Sequence, residues 1–228
     1  MELGFRDVRY EMCYGETTPA TSFSIHEAGI SSMNAPFSPR STQAAEGLPR
    51  RRFTVAEIEA IVAAGVIDED ERFELIGGEV VPMSPKGIRH ERVKVSLVDR
   101  WIRSRSDDVR VAQETTFHLS DDTFLEPDIV IYPHDGGLAG ITGPNVLLVV
   151  EVADTSLPYD LGRKADLYAS FDVRELWVID AVRLQARVFR GPTSEGYRET
   201  FDVGPGDKLK PLFAPEVFAL KLEDLELI

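Results

Sequence analysis

Cysteine is almost missing from this chain of 228 residues, with Cys13 its single instance. One thiol cannot close an internal disulfide, and cysteine-built metal centres are excluded with it. Histidine is nearly as scarce: His26, His90, His118 and His134 are scattered without the paired spacing of a zinc site. No apolar run approaches the ~20 residues that cross a bilayer, and the N-terminus lacks the basic-then-apolar pattern of a secretory signal. No membrane partner is expected, and a cytoplasmic location is the expectation. Basic residues are in deficit, 25 Lys and Arg against 39 Asp and Glu, giving a net charge of -14. That balance argues against a protein that coats nucleic acid through a broad basic surface. It leaves room for an enzyme that binds a phosphate chain in one local cleft, where a bound cation reverses the sign of the field. The chain also lacks G-x-S-x-G and any phosphate-cradling glycine-rich loop, so a serine-nucleophile mechanism finds no support.

Hydrophobic residues make up 43% of the chain and charged residues 28%, enough apolar material for one sizeable core. Residues 1–48 differ from the rest, being rich in Ser, Thr, Pro, Ala and Gly without a period. They read as a disordered leader, or as the product of a start codon assigned too early, with Met33 a later candidate. The basic run "PRRR" closes this segment, and the folded domain is expected over 49–228. "TVAEIEAIVAAG" predicts a helix, with Thr54 as N-cap, Glu57 at the capping-box position and Gly65 as stop. "RFELIGGEVVPM" predicts two strands around the Gly77–Gly78 turn. Val93, Leu97 and Trp101 at helical spacing mark a second helix. "VRVAQETTFHLS" alternates and predicts one strand, followed by strands at "PDIVIYP" and "NVLLVVEVA". A helix at "LGRKADLYASF" precedes strands at "ELWVID", "ARVFR" and "GYRETFDV". This order predicts an α/β domain: an N-terminal helix and β-hairpin, then a central mixed sheet flanked by helices.

Two carboxylates interrupt the most apolar strands. Alternate residues of a strand share a face, so Glu151 extends the row of Leu147 and Val149, and Asp128 joins the row of Val130 and Tyr132. An unpaired buried carboxylate costs several kcal/mol, comparable with the stability of a whole domain. Such groups are protonated, paired or bound to a cation. On the following helix Leu161, Lys164, Tyr168 and Phe171 form one stripe, which turns Lys164 toward Glu151. His90 shares a stripe with Val93, Leu97 and Trp101, while Glu74 and Glu79 flank the hairpin turn near the start of that helix. Taken singly, each has a plainer reading: Asp128 as a turn residue, Glu151 with Lys164 as a structural ion pair, His90 as a core histidine, Glu74 and Glu79 as solvated hairpin residues. Together they form a costly arrangement of the kind that clusters at functional sites. Two carboxylates suit Mg²⁺ or Mn²⁺, and a lysine beside them is equipped to act on water or on the charge developing at phosphorus.

With these residues in hand, the sequence resembles the restriction endonuclease family of the PD-(D/E)XK nuclease-like superfamily. The matching landmarks are "FELIGGEVVPMSP", "RHERV", "EPDIVIYP", "LLVVEVADTS", "DLGRKADLYASFDVRELWVID" and "GDKLKPLFAP", in family order from about Arg52 to the C-terminus. The resemblance implies a restriction-endonuclease-like fold and Mg²⁺-dependent cleavage of DNA. It carries Asp128 over as the Asp of "PD" and Glu151 as the acid of the next strand, both as metal ligands. The superfamily pattern places a lysine two residues after that acid, where this chain has Ala153; the family supplies it from the next helix, which points to Lys164. Glu79 and His90 match the N-terminal motifs as auxiliary groups, with Glu74 beside them. A homodimer would suit an enzyme that cuts two strands. The alternative is an inactive nuclease-fold module for interaction or dimerisation, with "ARVFR" as an edge strand carrying the partner.

Overall fold

The computed structural model describes residues 49–227; the leader assigned to 1–48 lies outside the described residues. Helix α1 (Val55–Ala63) opens as its sequence dictates. The Thr54 hydroxyl accepts the Glu57 N–H, and the Glu57 carboxylate accepts the Thr54 N–H. Strands β1 (Phe73–Ile76) and β2 (Glu79–Pro82) follow. Gly77 and Gly78 turn between them at φ +57° and +80°, the paired left-handed conformations of a type I′ hairpin. Helix α2 (Ile88–Ser104) buries His90, Val93, Leu97, Val98 and Trp101 along one stripe.

The stretch expected to be one strand over 109–120 is two. Strand β3 (Val109–Gln113) and strand β4 (Phe117–Ser120) belong to different sheets. The chain breaks at Glu114, whose φ of +48° no continuous strand accommodates. A further short strand, β5 (Thr123–Leu125), then pairs with β4 and β1. The hairpin therefore belongs to a four-stranded antiparallel sheet, β2-β1-β5-β4, that the alternation pattern did not announce.

The second sheet has six strands in the order β10-β9-β8-β7-β6-β3. Its members are β6 (Ile129–Pro133), β7 (Leu148–Ala153), β8 (Glu175–Asp180), β9 (Gln185–Thr193), β10 (Gly196–Val203) and β3. Strands β7 and β8 are parallel and the remaining pairs antiparallel, so the sheet is mixed as expected. A parallel pair needs a crossover, supplied by an unbroken helical run: α3 (Leu157–Tyr159), a π-helical stretch (Asp160–Lys164) and α4 (Ala165–Ser170). Strand β9, which contains "ARVFR", is internal rather than an edge, because β10 covers it with a long antiparallel register.

Both faces of this sheet are buried. Val93, Leu97 and Trp101 of α2 pack on Leu148, Val150, Val152, Trp177 and Ile179. On the other face Ala165 and Tyr168 of α4 pack on Val149, Leu176 and Val178. Trp101 is central to the first layer: its ring centroid lies 6.0 Å from those of Trp177 and Phe218, and its Nε1 donates to the Phe218 carbonyl at 3.2 Å. Among the described residues, no helix is long and apolar enough to cross a membrane. Truncating Trp101 to Ala should cost about 3–5 kcal/mol of unfolding free energy. Truncating the neighbouring exposed Ile102 should cost no more than about 0.5 kcal/mol. Urea denaturation reads both, and equal losses would contradict this packing.

Candidate active site

Strand register brings the two interrupting carboxylates together. Ile129 pairs with Val150 and Val130 with Val149. One step further, Asp128 stands opposite Glu151, on the same sheet face. The Asp128 side chain is also tied to the backbone of β7, because its Oδ2 accepts the Val152 N–H at 2.8 Å. Lys164 arrives from the last position of the π-helical stretch, a local widening frequent at functional sites. All three are almost sealed, at 4% exposure for Asp128 and Glu151 and 5% for Lys164. Lys164 Nζ lies 3.0 Å from Glu151 Oε1 and 3.0 Å from Glu74 Oε1. Glu74 Oε1 also accepts the Glu126 N–H at 3.1 Å. One helical turn beyond Lys164, the Tyr168 hydroxyl donates to Glu151 Oε1 at 2.6 Å.

Asp128 has two further partners. His90, in the first turn of α2, places Nε2 2.9 Å from Oδ2 and Nδ1 3.1 Å from Glu91 Oε1. Lys86, in the loop between β2 and α2, places Nζ 2.6 Å from Oδ1 and 2.7 Å from Glu114 Oε1. Glu74, Lys86, His90, Asp128, Glu151 and Lys164 line a cavity of about 360 Å³, together with Tyr159 and Asp160. Glu79 is not among its lining residues. It shares a face with Val81, which does line the cleft, but lies about 7 Å further along β2 at the turn end. There its side chain is 51% exposed and 3.5 Å from Arg50. The arginines of "PRRR" are likewise engaged, Arg51 with Glu57 and Arg52 with Asp122, rather than forming a free phosphate-binding patch.

Six carboxylates (Glu74, Glu126, Asp128, Glu151, Asp154, Asp160) thus line a cleft that holds two ammonium groups and one imidazole. The excess falls on Glu151. Burial pushes its carboxyl up, Lys164 pulls it down, and the charges of Asp128, Asp160 and Glu74 add to the rise, leaving it at about 8. Burial would strip Lys164 of its proton, but Glu151, Glu74 and Asp160 outweigh it and hold the ammonium well above the ordinary lysine range. Burial, then Glu151, raises the Tyr168 hydroxyl far enough that it remains a donor. Asp128 moves the other way: burial raises it, but His90 and Lys86 prevail and hold it at about 2.

The set is suited to a hard divalent cation. Among the described residues no three His, Cys, Asp or Glu side chains make a ready-built metal cage. One carboxylate oxygen is nevertheless open, and a second is held from a loop. No hydrogen bond reaches Glu151 Oε2 among the described residues, and no sealed side-chain polar atom there lacks a partner, so Oε2 faces the open cleft. Among the described residues Asp128 Oδ1 is held only by Lys86, on a loop.

Sequence reading passed over Tyr168, Lys86 and Glu114. Tyr168 lies on the Lys164 stripe, but an aromatic at helical spacing reads as core. Lys86 and Glu114 carry no periodic signal, since each acts from a non-repetitive position.

The depressed Asp128 pKa fixes a sign. A carboxyl whose folded pKa is lowered contributes stability above its unfolded pKa and loses it as pH falls through the folded value. The contribution is about 2 kcal/mol for a shift of this size. Between about pH 5 and pH 2 the wild type should therefore lose stability more steeply than Asp128→Asn. Urea midpoints across that range measure it, and parallel curves would refute the assignment.

The family model described as "Uma2: Putative restriction endonuclease" matches residues 56–223, a span that includes every cleft residue named above. Among solved structures, this chain is similar to "a putative nuclease belonging to DUF820" from Anabaena variabilis ATCC 29413. The TM-score is 0.59 at 18% identity, covering 75% of this chain and 96% of that one, a likeness that speaks for the fold. No curated protein matches. The matched family supports a nuclease, and nucleic acid as its substrate class. By the extent of that match, the chain belongs to the Uma2 family of restriction-endonuclease-like proteins.

Proposed function

We propose that this protein is an endonuclease that hydrolyses phosphodiester bonds of DNA with a divalent cation, Mg²⁺ or Mn²⁺, held by Asp128 and Glu151. The supporting observation is the convergence of two nearly sealed strand carboxylates and a helix-borne ammonium on one cleft. Glu151 Oε2, which is open, and Asp128 Oδ1, which a loop lysine holds, are the hard ligands such a cation prefers. When bound, the cation would activate water and neutralise phosphate oxygens. Each of the chain's own residues then has a task. Lys164, kept protonated by the carboxylates around it, cannot serve as a general base; its ammonium donates to the phosphate or to the attacking water and stabilises developing negative charge. Glu74 and Tyr168 fix that ammonium and the Glu151 carboxylate from opposite sides. His90 orients Asp128 through Oδ2.

Supercoiled plasmid incubated with Mg²⁺ or Mn²⁺ should be nicked or linearised by the wild type. Glu151→Ala and Lys164→Ala should each lower the rate by about 100-fold or more. Cleavage that persists in chelator, or variants as active as wild type, would count against this reading.

Cation binding should also carry a proton signature. With Glu151 protonated up to about pH 8, occupying the site releases a proton. Apparent Mn²⁺ affinity should rise with pH towards about 8 and then level off. Glu151→Gln should abolish the slope. Calorimetry in buffers of different ionisation enthalpy reads the release directly, and a pH-independent affinity would contradict it.

A further inference from the structure

We propose that Lys86 is the resident counter-ion of Asp128, and that a divalent cation entering the cleft displaces its ammonium onto Glu114. The inference rests on the reading that Asp128 and Glu151 hold that cation. It begins with the division of labour between the Asp128 oxygens. Oδ2 is held by the Val152 N–H of β7 and by His90 of α2, both on regular elements that cannot withdraw without disrupting the core. Among the described residues Oδ1 is held by Lys86 alone, at 2.6 Å, from a loop. Lys86 is therefore the partner that can leave.

A second seat is already in place. The same Nζ lies 2.7 Å from Glu114 Oε1, and Lys94 Nζ anchors that oxygen from the other side at 2.5 Å. Glu114 adopts φ +48°, a left-handed conformation uncommon for a residue other than glycine. Its N–H donates to the Asp128 carbonyl at 3.2 Å, which fixes the second seat beside the first. Strain of this kind persists where the surrounding structure imposes it, and such positions cluster at ligand sites.

The arrangement answers a physical difficulty. A buried carboxylate kept for a cation is costly while the cation is absent. The Lys86 side chain, only 11% exposed, compensates Asp128 in that interval. On exchange, one positive group replaces another at Oδ1, and Lys86 retains Glu114. Neither Asp128 nor Lys86 is left unpaired at any stage.

The test is Mn²⁺ titration by calorimetry on the full-length chain, comparing wild type, Lys86→Met, Lys94→Met and Asp128→Asn. Lys86→Met should bind Mn²⁺ about tenfold more tightly, a shift typical of coupling between competing occupants. Lys94→Met removes the same charge from the far side of Glu114 and should change affinity by less than about threefold. Mg²⁺ titration of the wild type, followed through the lysine ammonium resonances by NMR, should move Lys86 and leave Lys94 in place; this arm needs no variant to fold. Equal shifts for the two Met variants, or an unmoved Lys86 resonance in a protein that binds Mg²⁺, overturns the displacement alone. A wild type that binds no Mn²⁺, or binds it no better than Asp128→Asn, overturns the metal reading and the displacement with it.

Discussion

The Lys164 ammonium, suspended between Glu74 and Glu151, is the interaction on which the rest of the cleft depends. Glu74 stands on the four-stranded sheet and Glu151 on the six-stranded one, so this charge bridges two sheets that share no strand, beside the apolar packing of Phe117 and Leu125 on Val130 and Val149. Without it, two buried carboxylates would face each other with little compensation, an arrangement that costs several kcal/mol. The positive charge therefore ties Glu74 of the hairpin to the central sheet and forms part of the cavity wall. Lys164 and Tyr168, four residues apart, share one helix face and both reach Glu151 Oε1.

A second network encloses the other side of the cleft. His90, Asp128, Lys86, Glu114, Lys94 and Glu91 form a closed ring in which each group contacts the next. Asp128 is the only member of the ring drawn from the site's pair of carboxylates. The ring fixes its orientation through Oδ2 while leaving Oδ1 in the care of a loop. Glu175 provides a contrast. It too is a fully buried strand carboxylate, but Arg190, the Trp177 indole and the Leu212 N–H cover both of its oxygens. A carboxylate so completely satisfied is structural. Glu151, with one oxygen facing open space and its proton held to about pH 8, is poised for exchange.

Much of the fold was legible because its signals are local. Thr54 with Glu57, the Gly77–Gly78 pair and the 93–97–101 stripe each specify an element through neighbouring residues alone. The boundary at Glu114 was not legible, because an alternating pattern runs through it and the break lies in one backbone torsion. Strand β5 is too short for periodicity to detect. The assignment of "ARVFR" to an edge failed for a related reason: strand order depends on pairings between distant segments, and the internal position of β9 follows from β10 folding back over it.

By itself the sequence determined that Asp128 and Glu151 would interrupt apolar rows and that Lys164 would turn inward, because face alternation in strands and helical spacing are properties of the chain's own geometry. Only the tertiary structure decided which neighbours those charges meet. Glu74 joined the cleft and Glu79 did not, although both flank the same turn, because distance along the strand separates them. Lys86 and Glu114 entered from a loop and a strand break, where side-chain direction has no period to betray it. Electrostatic pairing acts over a few ångströms in space, whatever the separation in sequence, and that scale is reached only once the two sheets have met.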